Sequence, residues 1–271
     1  IKQAQDAAHT SVALYALMAA VMTVLGLLFV PQILRLVQTP AAAMPEAKRY
    51  LYTVFAGTVF TFGYNLIGAL QRGLGNAAAS MSFVIISSAA NIALDAVFIV
   101  WLGMGAFGAA LGTVLSQVAA FAIGTVQFAR GGAALRLSAR AVRFHKKHFK
   151  NILLFGVPTA LNEVMVNLAM LTVSGVANSF GLASSAAYGV GSRINSLAIF
   201  TDGAMNQTMS AYASQNIGAG RQKRALEGLW KAIILSAGAA LGTSLLVLGF
   251  ASEFSACFDS DPAVIEQSAA F

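Results

Sequence analysis

GLGNAAASMSFVIISSAANIALDAVFIVWLGMGAFGAALGTVLSQVAAFAIGTVQFA, residues 73–129, carries a single charge, Asp95, in 57 positions. A helix needs about 20 apolar residues to cross the hydrocarbon core of a bilayer. This stretch therefore holds two crossings, at 80–101 and 106–129, with Gly103-Met104-Gly105 as the turn between them. The same reading extends outward through the gaps between charges. Asp6 and Arg35 enclose 28 uncharged residues and give a span at 9–30, while Arg49 and Arg72 enclose 22 and give one at 50–71. Downstream, spans are expected at 151–178, 186–213 and 232–252. Asn151 opens the first of these, Pro158 lies in its first two turns, and NSFGLASS is the turn after it. The tail from Ala263 would start an eighth. The expected fold class is all-α: a polytopic transmembrane helical bundle with about seven to eight helices in this sequence.

Composition excludes the other classes. Of 271 residues, 58% are hydrophobic and 10% charged, against about 45–50% and about 25% in a typical soluble domain. The apolar content rules out disorder, and the single Cys257 rules out a disulfide scaffold. The net charge of +7 does not point to nucleic acid, because the basic residues lie in loops between apolar runs. IKQAQDAA at the start lacks the pattern of a signal peptide. The sequence is expected to be an internal piece of a longer protein.

The cations set the expected orientation. Alternate loops hold thirteen Lys and Arg on one side of the membrane and three on the other, with Arg193 inside a span. The thirteen-cation side is expected to be cytoplasmic. It includes the basic run 130–150, which reads as this signal plus attraction to anionic lipid rather than a nucleic-acid site. His9, His145 and His148 lack metal-ligand spacing on an apolar face.

An internal repeat is also visible. Shifting the sequence by 221 residues places Lys2, Ala4 and Asp6 on Lys223, Ala225 and Glu227, and Leu14, Leu25, Leu27 and Phe29 on Leu235, Leu246, Leu248 and Phe250. Six spans fill the interval, so both copies enter the membrane in the same direction. A parallel repeat of six-helix units is a common transporter plan, with 130–150 linking the halves.

Ionisable groups inside the membrane are costly and are functional candidates by default. They are Asp95, Glu163, Asp202 and Arg193. The three acids lie on polar stripes at helical spacing: Ser80, Ser87, Ser88, Asn91 and Asp95; Thr159, Glu163, Asn167, Ser174 and Asn178; Ser192, Asn195, Asp202, Asn206 and Ser210. Such hydroxyls and amides, taken singly, read as interhelical glue. Three acids on such stripes read as a water-lined cavity. Asn91 and Asp95 share a face, and Thr113 lies at the same depth as Asp95. Glu163 and Asp202 are level with each other near mid-membrane. Arg193 lies nearer the outer side and is expected to brace a helix contact. A membrane-embedded carboxylate beside an amide and a hydroxyl can exchange a proton, or hold a hard cation through oxygen ligands. Either property couples an ion gradient to transport. HExxH, GxSxG, GxGD and a Cys–His pair are all absent from the sequence, so an enzyme is not expected.

The motifs resemble the multidrug and toxic compound extrusion (MATE) family. They are RGLGN at 72–76, NIALD at 91–95, GAFGAALGTVLSQ at 105–117, FGVP at 155–158 and SQNIGAG at 214–220. The resemblance covers essentially the whole chain and makes its spans the third through ninth of twelve. It implies two six-helix lobes around a cleft. Residues 1–130 fall in the amino-terminal lobe, 131–150 in a basic cytoplasmic linker and 151–271 in the carboxyl-terminal lobe. The implied function is antiport of cationic or amphiphilic compounds against H+ or Na+ across the bacterial plasma (inner) membrane, as a monomer and without a cofactor. By motif position, Asn65, Asn91, Asp95 and Thr113 match the family's amino-lobe cation site, with Na+ possible at Asp95. Glu163, Asp202, Asn167 and Asn206 are the candidates for the substrate cavity. The sequence departs from the family at Ser80, where Pro is frequent, and at Glu163, which lies closer to its helix start than the carboxyl-lobe cation glutamate. Glu163 is thus read as a substrate counter-ion. The rival reading is a lipid-linked saccharide flippase of similar fold. Such a flippase calls for a cationic cavity, whereas this membrane region holds three acids and one Arg.

Overall fold

The computed structural model describes residues 2–37, 39–130, 145–180, 182–256 and 265, all but the turns of them helical; side chains of 2, 178, 182–185, 194 and 197–202 lie outside this description. The chain forms α1 (Lys2–Leu36), α2 (Met44–Gly73), α3 (Ala77–Asp95), α4 (Gly105–Arg130), α5 (Lys146–Ser179), α6 (Leu182–Gly218), α7 (Gln222–Gly249) and α8 (Ala251–Ala256). A π-helical turn, Ala96–Trp101, continues α3 without a break.

The helices start earlier and end later than the apolar spans. α1 runs 35 residues around the expected 9–30, and α5 begins at Lys146 rather than Asn151. Charge gaps measure only what hydrocarbon tolerates, whereas the backbone ladder continues into polar turns. Pro158 therefore sits in a helix interior rather than near its start. Pro45 lies in the first turn of α2, where its missing N–H costs nothing. Asn76 caps α3 by accepting from the Ala79 N–H at 3.1 Å. Gly103 and Gly105, at φ +63 and +54, form the turn expected there and adopt a left-handed backbone that other residues resist.

Six helical stretches are long and apolar enough to cross a membrane: Gln3–Leu36, Met44–Gly73, Ala77–Trp101, Gly105–Arg130, Lys146–Ala177 and Gln222–Gly249. α6 covers the expected span 186–213 and is 37 residues long, yet among the described residues it is not one of the six. Its Ser, Asn, Gln and Arg residues dilute the apolar run. The expected eighth helix lies outside the described residues.

The chain divides into two compact units, 1–154 and 155–271. In the first, α2 packs on α1, α3 and α4, and α3 packs on α4. Buried Gly108, Gly112, Ser116, Ala120 and Gly124 form a ridge of small side chains on α4 with four-residue spacing. Small residues let membrane helices approach closely, which replaces the hydrophobic driving force that lipid removes. A Gly costs about 0.5–1 kcal/mol relative to Ala within a helix, so close packing is what offsets these positions. A Cβ on Gly63 would lie 2.7 Å from the Phe121 ring, and one on Gly124 3.2 Å from Phe83. Ala8, Ile67, Phe83, Ala120 and Phe128 form the core nearby. The start of α5 joins this unit through His145, whose Nε2 lies 3.8 Å from Asp6 and whose Nδ1 lies 3.5 Å from Thr10 Oγ1.

In the second unit α6 packs on α7, and α8 touches both. Its core is small: buried Ala187 and Val190, covered by Ala186, Val247 and Phe254. The unit's portion of α5 is exposed along nearly its whole length.

Candidate functional site

Asp95 is the last residue of α3 before the π-turn and is partly buried. One helical turn earlier, Asn91 Nδ2 donates to Asp95 Oδ1 at 3.4 Å. Across the interface the same Oδ1 lies against buried Gly112 of α4, so closely that a Cβ there would overlap it. Thr113 is the next residue along α4, and its carbonyl accepts from Ser116 Oγ at 2.8 Å. Asn91, Asp95 and the Gly112–Thr113 backbone thus meet where α3 crosses α4. Turning the Asn91 amide over would bring its carbonyl oxygen beside the carboxylate in place of its Nδ2. With that turn, the carboxylate and the amide would both present oxygens, the ligand type hard cations take. Among the described residues no group of three or more His, Cys, Asp or Glu is placed to hold a metal ion.

Asn65 is placed elsewhere. Its Nδ2 donates to its own helix, at Thr61 O, 2.8 Å away. It lines a cleft of about 280 Å³ together with Tyr15, Thr61, Phe62, Ala69 and Arg72. Tyr15 and Phe62 meet edge to face there, ring centroids 6.0 Å apart. No described hydrogen bond joins Asn65 to Asp95.

The lower part of the α3 stripe holds helices together. Ser87 Oγ donates to Ser116 O at 2.7 Å, and Arg72 donates to Ser80 Oγ at 2.9 Å. Ser82 and Gln127 bond each other, and Thr61 bonds Gln117. Buried Gln71 reaches Gly124 O at 3.4 Å.

The substrate-cavity candidates lie in the second unit. Asn167 Nδ2 donates to Glu163 O at 2.7 Å, and both residues are exposed on α5. Asn206 is exposed on α6, as is Arg193. The side chain of Asp202 lies outside the described residues. Residue type and spacing missed Gly112, Thr61 and Gln117 as parts of the interior. The glycines at 108 and 112 of GAFGAALG, four apart, were the available signal for the first.

A family model described as MatE matches residues 1–97 and 158–271. The chain belongs to the MatE family. With six apolar spans and this membership, it is a multi-pass membrane protein. It is similar to the probable multidrug resistance protein YpnP of Bacillus subtilis, 31% identical over 71% of this chain and 43% of the relative. It is also similar to YoeA of the same organism, 31% identical over 79% and 49%. The multidrug export protein MepA of Staphylococcus haemolyticus is 26% identical over 64% and 38%. The chain therefore spans about half the length of the curated relatives it matches. Among solved structures, an outward-facing multidrug resistance MATE transporter of the MOP superfamily aligns with TM-score 0.86 and 24% identity over 98% of this chain and 60% of that one. A MOP superfamily transporter from Pyrococcus furiosus, whose reversed pocket polarity suggests a different function, aligns at 0.87 and 22% over the same shares. At these identities the fold is what the structures share with the chain.

Proposed function

We propose that the protein expels cationic or amphiphilic small molecules across the bacterial plasma membrane by antiport against H+ or Na+, acting as a monomer. The observation that carries this is Asp95. It is the one charged residue in 57, and it is held partly buried at a helix crossing beside an amide. Keeping a charge within a span costs about 2.5–3.5 kcal/mol on insertion scales. A group that gains a proton or cation in one part of the cycle and loses it in another makes use of that cost. Neutralisation changes the balance of the α3–α4 crossing and so the balance between two forms of the lobe. The named relatives are multidrug resistance and multidrug export proteins, which supports efflux over saccharide flipping. Glu163, exposed on α5 with Asn167, and Asp202 and Asn206 on α6 supply the acids and amides that would attract a cationic substrate.

Asp95→Asn in the full-length protein keeps the shape and removes the charge. Gradient-driven dye efflux should be abolished while membrane insertion and some dye binding persist. Wild-type pumping across pH 6–8 in both Na+ and K+ media would sink the coupling role. The proposed orientation has its own check. A Cys replacing Lys147, in a background lacking Cys257, should resist impermeant thiol reagents in intact cells, whereas a Cys at Ala43 should label.

A further inference from the structure

Two contacts cross from the end of α3 to the start of α4. Phe98, in the π-turn, lies over Gly108, where an added Cβ would come within 3.0 Å of the Phe98 Cβ. Asp95, one turn back, lies over Gly112, where an added Cβ would meet Oδ1 itself. The two glycines are one turn apart on the same buried ridge, but they receive different chemistry. Gly108 faces the Cβ atoms of Met104 and Phe98 and the Phe98 carbonyl oxygen. Gly112 receives the carboxylate oxygen that also accepts from Asn91. Among the described residues no Lys, Arg or His forms an ion pair with Asp95. The position of this oxygen is therefore set by Asn91 on its own helix and by the bare backbone of α4 opposite. Asp95 also marks the passage from α-helical to π-helical winding, an irregularity frequent at functional sites because it re-aims side chains.

We propose that Gly112 is a positioning residue for the Asp95 carboxylate, and that its missing side chain sets the affinity for the coupling cation. The proposal rests on the coupling reading of Asp95. Any side chain at 112 pushes the carboxylate away from α4 and from Thr113, the residue beside it. The cation then loses the oxygen geometry of the crossing, while the substrate acids on the other unit are untouched. Gly108 is the built-in control. A side chain there meets Met104 and Phe98 at the same helix crossing rather than the carboxylate.

The test uses full-length protein in proteoliposomes, with dye transport measured against Na+ concentration at fixed pH and against pH without Na+. Gly112→Ala should raise the cation concentration needed for half-maximal transport by roughly tenfold or more, the size seen when support around an ion site is removed. Dye binding without a gradient should stay at the wild-type level. Gly108→Ala should change thermal stability and leave the half-maximal concentration unchanged. Asp95→Glu, which keeps the charge and leaves the α4 backbone intact, should shift the half-maximal concentration in the same direction as Gly112→Ala. It carries the test if Gly112→Ala fails to reach the membrane. If Asp95→Asn abolishes coupling while Gly112→Ala and Asp95→Glu keep the wild-type half-maximal concentration, the positioning role is overturned and the coupling reading stands. Equal shifts from Gly108→Ala and Gly112→Ala would also overturn it, since general loosening of the crossing would then explain both. Wild-type coupling in Asp95→Asn removes both ideas together.

Discussion

Ties between helices by polar side chains are concentrated in the first of the two units. In residues 1–154, several polar side chains reach across helices, Thr61 to Gln117, Ser82 to Gln127, Ser87 to Ser116 and Arg72 to Ser80, beside others such as Thr53, Thr58 and Asn65 that bond their own helix. In residues 155–271 most bond their own helix one turn back: Thr159 to Phe155, Asn167 to Glu163, Thr172 to Leu168, Ser196 to Ser192. Among the described residues, Tyr188 to Met170 and Tyr212 to Arg224 do cross between helices. Glycines follow suit. Gly57, Gly63, Gly112 and Gly124 meet neighbouring side chains, whereas Gly156, Gly175, Gly203 and Gly238 have nothing within 4 Å of an added Cβ, and Gly228, against the Tyr212 ring, is the exception in the second unit. Polarity alone therefore does not mark a cavity. A hydroxyl on a close-packed ridge is a tie between helices. The same hydroxyl on an open face satisfies itself locally and leaves the face available to substrate, water or lipid.

The largest effect that could break this contrast is steric. Gly63→Leu should destabilise the full-length protein by about 1–3 kcal/mol through overpacking against Phe121, read as a lower melting temperature in detergent. Gly175→Leu, the same change in the other unit, should leave the melting temperature within error or raise it slightly through better helix propensity. Equal losses would show that the α5 face is as closely covered as the α4 ridge.

A smaller effect is expected in selectivity. Glu163→Gln should lower efflux of cationic dyes several-fold relative to zwitterionic ones, with stability unchanged, because the carboxylate sits on the open face of α5. Equal loss across charge classes would move Glu163 to the structural side of the comparison.

The smallest effect concerns a single tie. A double-mutant cycle of Thr61→Val and Gln117→Leu should give a coupling of about 0.6 kcal/mol, typical of hydrogen bonds between membrane helices. A cycle of Thr159→Val with Asn206→Leu in the second unit should give none. Comparable coupling in both would erase the distinction between tied and open faces.

Asp95 and α5 show where legibility in the sequence ends. Span positions, the helical class, the turn at 103–105 and the family resemblance all follow from charge gaps and short motifs, because hydrocarbon admits few charges and turns need particular residues. Asn91 and Asp95 are legible as a pair because four-residue spacing puts them on one face whatever surrounds the helix. Partners are not legible in this way. In a membrane helix the apolar residues run all round, so periodicity names a face without saying what packs on it. Only the tertiary structure decided that the Asp95 carboxylate rests on Gly112, that Asn65 turns to Thr61 and a separate cleft, and that Ser80 and Ser87 tie helices rather than line a cavity. It also leaves Glu163 exposed on α5 in the described chain. The reason is geometric: how near two helix backbones come depends on small residues meeting from both sides, and each helix's sequence records only one side of that meeting.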